Sequence, residues 1–263
     1  MKMRILTGLW LLGIGFATTY WGGVWMWAWI ALVSLVMAHE MMAMQHMRFS
    51  KTYQIIGYLC VGVVMISTRY PVTTGYWKSP IALLIAGVVV GSCIIEVLTK
   101  TVFFSKKPFW AMTRIVVFIA STIPYIYLLR AGEKGFLYVA FCCGIIWTSD
   151  SFAYFGGRFF GKTPLTSISP KKTVEGSIFG FLSSLILAVY LCYICAFPWI
   201  HFLVIAGIIS ILSMVGDLHE SLTKRHFHIK DSSNFLPGHG GFYDRADSTL
   251  LVFPLAYFYF LYL

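Results

Sequence analysis

The chain has 263 residues, of which 59% are hydrophobic and only 11% charged, and its formal net charge is +10. Its mean hydropathy is +0.78. It contains nine Trp, 22 Phe and 15 Tyr, more apolar surface than a soluble domain of this length buries, which excludes an ordinary soluble domain. Long, continuous apolar stretches, rather than short alternating ones, favour membrane-spanning helices over a β-barrel.

Nine apolar segments are candidates for membrane spans. The first, third and last are short, which a small tilt or a locally thin bilayer accommodates. In chain order the nine segments are residues 5–20, 22–39, 53–68, 80–98, 112–129, 135–154, 176–195, 197–217 and 248–263.

The basic residues orient these segments. With the N-terminus in the cytoplasm, sixteen of the twenty Lys and Arg residues fall on the cytoplasmic side, as expected for short loops. We therefore predict an all-α polytopic membrane protein with about nine transmembrane helices, a cytoplasmic N-terminus and a C-terminus outside. The basic face would attract anionic headgroups or nucleotides. Its charges are spread over five segments without a recognisable binding module, so we expect no nucleic-acid partner.

Two polar loops, 155–175 and 218–247, fall on this cytoplasmic side. Asp150 precedes the first loop at the end of a span, where a charge is costly unless it faces water or a partner. Lys171 and Lys172 follow in "SPKKTVEG", beside a predicted helix start. Free N–H groups and the helix dipole favour a phosphate there, although the same lysines are equally consistent with simple markers of the cytoplasmic face.

The second loop begins as a helical extension of the eighth span. Asp217, Ser221 and Lys224 are spaced i, i+4 and i+7, so they share one helical face, with Glu220 beside them. A carboxylate, a hydroxyl and an ammonium group on one stripe could hold a hydrated cation and a phosphate together. A solvated helix end has the same pattern.

A glycine-rich turn, "PGHGG", and then "DRADS" lead into the last span. Asp244 and Asp247 are spaced i and i+3, again on one face. Carboxylates with few His or Cys partners suit Mg²⁺, which binds one or two of them together with substrate phosphates. His239 could be a ligand, a phosphate donor or a loop hydrogen-bonding group; we favour the last, because hard cations prefer oxygen.

The stretch "SLTKRHFHIKDSSNFLPGHGGFYDRAD" resembles the signature of the phosphatidate cytidylyltransferase (CDP-diacylglycerol synthase) family. "GDLHES" and "SPKKTVEG" also resemble blocks of that family, and the clear resemblance runs from Asp150 to the C-terminus. Ala246 departs from the larger apolar residue or Thr that is usual there, which bears on local packing. The matching positions are Ser221, Lys224, Arg225, Lys230, Asp231, Pro237, His239, Gly240, Gly241, Asp244, Arg245 and Asp247.

The resemblance implies a reaction in which phosphatidic acid attacks the α-phosphorus of CTP, giving CDP-diacylglycerol and pyrophosphate. It implies a Mg²⁺ cofactor, leaves a second cation open, and implies a homodimer with a polar cavity open to the cytoplasm and to membrane lipid. We expect the inner membrane of a bacterium. Carried over by position, the metal ligands would be Asp217, Asp244 and Asp247, and Lys224 and Arg225 would complete the catalytic set. The candidate substrate-binding residues are Asp150, Lys171, Lys172, Ser221, His239, Gly240, Gly241 and Arg245.

In domain terms we expect one integral-membrane unit over residues 1–263, with an N-terminal helical part, 1–110, and a catalytic part, 111–263.

Three other functions are less consistent with the sequence. The chain lacks the Asp-Gly-x2-Ala-Arg stretch of the CDP-alcohol phosphatidyltransferases. CTP-dependent polyprenol kinases would transfer the γ-phosphoryl group and release CDP. A transporter or scramblase would place ionisable groups at mid-membrane, whereas Glu40 and Glu96, the nearest exceptions here, lie near predicted cytoplasmic boundaries.

Overall fold

The computed structural model describes residues 2–45, 49–69, 75–238 and 240–263, with side chains from residue 6 onward. Over this part of the chain the fold is all-helical. In chain order the helices are α1 Lys2–Trp21, α2 Gly23–Met44, α3 Lys51–Ser67, α4 Pro80–Thr99, α5 Pro108–Ala120, α6 Pro124–Arg130, α7 Gly135–Phe160, α8 Val174–Cys195, α9 Trp199–His226, α10 Tyr243–Leu250 and α11 Val252–Leu261.

Six segments of the described chain are long and apolar enough to cross a membrane. Large apolar side chains such as Leu98, Ile186 and Tyr193 are exposed on their outer faces, as expected for surfaces in contact with lipid. The prediction of an all-helical membrane protein is thus confirmed, whereas the count of nine and the orientation stay predictions. The six are Gly23–Met44, Pro80–Thr99, Pro108–Arg130, Gly135–Phe160, Val174–Cys195 and Trp199–His226.

Local sequence sets several helix ends. Ser79 precedes α4 and accepts a hydrogen bond from the Ala82 amide, with Pro80 at the first helical position, where proline's missing N–H costs nothing. Lys100 ends α4 in a left-handed conformation, with φ of 54°. Thr173 caps α8 in the same way as Ser79, through the Gly176 amide at 3.2 Å.

The helix α9 lies at the centre of the C-terminal part. It packs against α4, α7, α8, α10 and α11. Both α7 and α9 continue past the predicted membrane boundaries, to Phe160 and His226. The predicted loops 155–175 and 218–247 therefore begin as helix, because hydropathy detects where the membrane ends and not where hydrogen bonding along a helix ends.

The N-terminal helices are joined to this part by a buried acidic group. Glu96 on α4 is 1% exposed and forms an ion pair with Arg114 of α5 at 2.7 Å. The same carboxylate contacts His219 of α9 at 2.9 Å and accepts a hydrogen bond from the Phe103 amide at 2.8 Å. A carboxylate so deep in a membrane protein needs such partners, so Glu96 fixes α9 against α4 and α5.

Candidate active site

A cavity of about 650 Å³ opens where α7, α8, α9 and α10 meet. Its volume is in the range of small-molecule sites. Four carboxylates and four basic side chains line it, so its wall carries both signs of charge. These residues are Asp150, Asp217, Asp244, Asp247, Arg158, Lys171, Lys172 and Arg245. Seven of them, all except Arg158, are residues for which the sequence predicts a role.

The loop 161–173 places the two lysines at this cavity. It folds back on itself through a hydrogen bond from the Leu165 amide to the Lys172 carbonyl at 2.8 Å. The Glu175 carboxylate secures its start by accepting the amides of Lys162 and Thr163. The Lys172 ammonium forms an ion pair with Asp217 across the cavity. The loop, which joins α7 to α8, is thereby held to α9 by the positive charge of Lys172.

A close helix crossing brings the acids of α9 and α10 together. Gly216 lies against the backbone of α10. A Cβ atom added at residue 216 would lie 2.4 Å from the Asp247 carbonyl oxygen. One residue later, Asp217 joins Glu220 and Asp247 in a cluster whose ligand oxygens all lie within 4.8 Å of one another. Three carboxylates without nitrogen or sulfur suit a hard cation such as Mg²⁺.

Electrostatics support a cation at this cluster. Burial, and then the negative charge of Asp217, raise the pKa of Asp247 to about 7. Crowded carboxylates disfavour one another's ionisation, and a divalent ion among them would reverse that effect. Asp150 lies nearby, accepting a hydrogen bond from the Ser248 hydroxyl at 3.3 Å. The donor set therefore fits a divalent metal ion.

Asp244 has a different environment. One of its oxygens accepts from the Ser232 amide, the Ser232 hydroxyl and the Gly241 amide at 2.8–2.9 Å, and the other pairs with Lys224 at 2.9 Å. Burial alone would raise the pKa of Asp244, but hydrogen bonds with Glu220, Gly241, Lys224 and Ser232 hold it well below its usual range. Its assignment as a metal ligand stays a prediction.

The remaining predicted residues lie around this centre. Lys224 lies between Glu220 and Asp244 and forms an ion pair with each of them. Arg225 is exposed and donates to the Ile229 carbonyl at 3.2 Å. Ser221 is half-buried on α9.

The glycine-rich turn precedes α10. Gly240 takes a φ of 78°, a left-handed conformation that favours glycine, and Gly241 donates its amide to Asp244. His239 lies outside the described residues. The substrate roles of all of these stay predictions.

Comparison with known proteins agrees with this geometry. Residues 2–263 match the cytidylyltransferase family. The chain belongs to that family. It is 34% identical over 268 residues to a protein of Bacillus subtilis (strain 168) named phosphatidate cytidylyltransferase, covering 98% of this chain and 97% of the relative. Proteins of the same name from Staphylococcus haemolyticus (strain JCSC1435) and Staphylococcus aureus (strain COL) are 34% identical over 263 residues, covering 97% of each chain.

In this member of the cytidylyltransferase family, sequence reasoning assigned no role to three residues that the structure places in the acidic cluster, in the cavity wall or against the start of α10. Glu220 completes the acidic cluster, and its i, i+3 spacing from Asp217 was the available signal. Arg158 lines the cavity, although its sequence context marks only the cytoplasmic side. Glu40, on α2, binds the segment that enters α10, and nothing local to Glu40 indicates a partner about 200 residues away.

Proposed function

We propose that the chain is a phosphatidate cytidylyltransferase, which converts CTP and phosphatidic acid into CDP-diacylglycerol and pyrophosphate. The observation that carries this proposal is a cavity in which a cluster of carboxylates faces four basic side chains. A nucleotide triphosphate brings its own metal-binding oxygens and several negative charges, so it needs both kinds of group. The relatives that carry this enzyme name match nearly the whole chain.

The residues of the cavity fit a transfer that needs little covalent chemistry from the protein. The nucleophile is a phosphate monoester, already anionic near neutral pH, so its oxygen can attack the α-phosphorus of CTP without a strong general base. The bond from that phosphorus to the β-phosphate bridging oxygen breaks, and pyrophosphate leaves. Catalysis then consists of in-line positioning and of neutralising charge. We propose this role for Lys171, Lys172 and Arg245, which line the cavity.

We propose that Asp217 and Asp247 hold Mg²⁺, with Glu220 as a third carboxylate of the same cluster. Asp244 would complete the centre beside them, through its contacts with Glu220 and Lys224. When bound, the ion would neutralise charge on the leaving pyrophosphate and polarise the α-phosphoryl group. Lys224 and Arg225 would contact substrate phosphates, as the family resemblance implies, and a second cation stays open.

We also propose nine crossings of a bacterial inner membrane, with the cavity facing the cytoplasm. The six long apolar segments support this, together with three shorter ones, which are α1, α3 and the predicted last span, 248–263, with α11 inside it. The distribution of Lys and Arg supports the orientation. A homodimer is proposed from the family resemblance, and cross-linking in native membranes tests it.

Product analysis tests the proposed reaction. Purified protein would be incubated with cytidine-tritiated CTP, phosphatidic acid and Mg²⁺, and the lipid extract separated by thin-layer chromatography. We expect a lipid-soluble, tritiated product that requires all three components. Tritium that stays in the aqueous phase, with CDP accumulating and a lipid alcohol phosphorylated, would favour a CTP-dependent polyprenol kinase. Lipid movement without either product would favour a scramblase.

A further inference from the structure

A buried carboxylate of the N-terminal part holds the start of α10. Glu40, on α2, is 1% exposed, and each of its oxygens accepts one main-chain amide and one serine hydroxyl. Oε1 accepts from the Phe242 amide at 3.0 Å and the Ser233 hydroxyl at 2.7 Å. Oε2 accepts from the Tyr243 amide at 2.9 Å and the Ser232 hydroxyl at 3.3 Å. The carboxylate is thus surrounded by four donors.

The amide donors belong to a helix end that lacks a cap of its own. The first N–H groups of any helix have no partner within the helix, and a preceding Ser, Thr, Asp or Asn usually satisfies one of them. Here the preceding residue is Phe242, whose side chain has no oxygen. Glu40, which belongs to α2, accepts these hydrogen bonds instead, and its negative charge also suits the positive end of the α10 dipole.

The same contacts connect Glu40 to the acidic side chains of α10. The Ser232 hydroxyl lies 2.9 Å from Asp244 Oδ2 and 3.3 Å from Glu40 Oε2, so the two carboxylates share one partner. Gly241 packs closely against Glu40, because a Cβ atom at residue 241 would lie 2.5 Å from Glu40 Oε1. A change at Glu40 therefore acts on the helix that carries Asp244 and, one turn later, Asp247.

We propose that Glu40 is a positioning residue of the active site: its carboxylate fixes the N-terminus of α10 and thereby the placement of Asp244 and Asp247 against α9. This inference rests on the proposed function for its kinetic consequence, but its structural part does not. The N-terminal part of the chain thus contributes to the site through a carboxylate as well as through membrane anchoring.

The first test is Glu40→Gln, which keeps the shape of the side chain and removes one acceptor. The amide nitrogen of Gln would face a main-chain N–H, which cannot reverse its role, so Phe242 or Tyr243 loses its partner. Hydrogen–deuterium exchange of the purified, membrane-reconstituted protein should show exchange at 240–247 faster by about tenfold or more. Exchange over α8 and α9 should stay within about twofold of wild type. Unchanged exchange at 240–247, or an equal rise over α8 and α9, would overturn the proposal.

A second readout separates positioning from general loosening. We expect Glu40→Gln to raise the Mn²⁺ concentration for half-saturation, measured by electron paramagnetic resonance without substrate, by about fivefold or more. Half-saturating Mg²⁺ in the turnover assay should rise in parallel. Partial unfolding would lower the maximal rate and leave both concentrations unchanged, and that result would contradict the proposal.

Two controls make the comparison specific. Ser233→Ala removes a hydroxyl donor and leaves both amide contacts, so it should leave metal half-saturation within about twofold of wild type. Glu133→Gln makes the same chemical change at an exposed residue and should leave every readout at the wild-type value. If wild-type protein makes no cytidine-containing lipid, the proposed function fails, and the exchange experiment still decides whether Glu40 holds α10.

Discussion

Gly216→Ala tests whether the α9–α10 crossing sets the acidic centre. The added methyl carbon would lie 2.4 Å from the Asp247 carbonyl oxygen, where ordinary contact begins at 3.4 Å, so the helices must separate by roughly 1 Å. Overpacking of this kind costs about 1–3 kcal/mol. A displacement of about 1 Å between catalytic groups lowers turnover by about 100-fold. In Gly216→Ala this displacement would move Asp217 away from Asp247.

The assay for Gly216→Ala is CTP- and phosphatidate-dependent turnover at several Mg²⁺ concentrations. Gly207→Ala, on the same helix, is the matched control, because its methyl would meet Phe181 at an ordinary 3.5 Å. Both changes gain the same helix propensity, about 0.5–1 kcal/mol, so their difference reports the contact alone. For Gly216→Ala we expect loss of turnover and a higher half-saturating Mg²⁺ concentration, and for Gly207→Ala near wild-type behaviour. Wild-type kinetics in Gly216→Ala would refute the geometric account.

Two further predictions concern the charged groups of the cavity. Asp217→Asn or Asp247→Asn should lower turnover by at least about 100-fold, because each removes a carboxylate from the cluster, and excess Mg²⁺ should restore part of it; wild-type turnover in both variants would contradict the metal assignment. Replacing Lys171 and Lys172 together by Ala should raise KM for CTP or phosphatidic acid by about tenfold or more, as initial rates at varied substrate would show.

The lysine prediction has a matched control in the chain. Lys106 and Lys107 form a second adjacent pair, both exposed, in a segment that we propose to be cytoplasmic. If they are only topology markers, their double Ala variant should keep both KM values. Normal KM values in the Lys171 and Lys172 variant as well would mean that this pair too serves only membrane orientation.

Sequence patterns predicted the helical class and most of the charged residues that line the cavity, because both depend largely on local spacing. Apolar length predicts helices that cross a membrane, and i, i+3 or i+4 spacing places Asp217 and Glu220, or Asp244 and Asp247, on shared faces. The helical continuation of α7 and α9 beyond the membrane could not be read from hydropathy. Polar residues are compatible with helix once water can solvate them.

The contacts of Glu40 and Glu96 depend on tertiary structure. Each is a single acid in an apolar segment, which signals only that some partner must exist. Glu96 binds Arg114 and His219, and Glu40 binds the segment before α10. Such long-range pairs follow from helix packing, which no periodicity in the chain specifies. The same limit applies to Gly216, whose role appears only when α10 lies against it.

The central claim is that the α-phosphorus of CTP, and not the γ-phosphorus, is the reacting atom. CTP labelled with ³²P at either position would be supplied to the purified protein with phosphatidic acid and Mg²⁺. We predict that the α label enters the lipid fraction in equimolar amount with cytidine, while the γ label is released as pyrophosphate. Appearance of the γ label in lipid, with the α label left in CDP, would contradict the account.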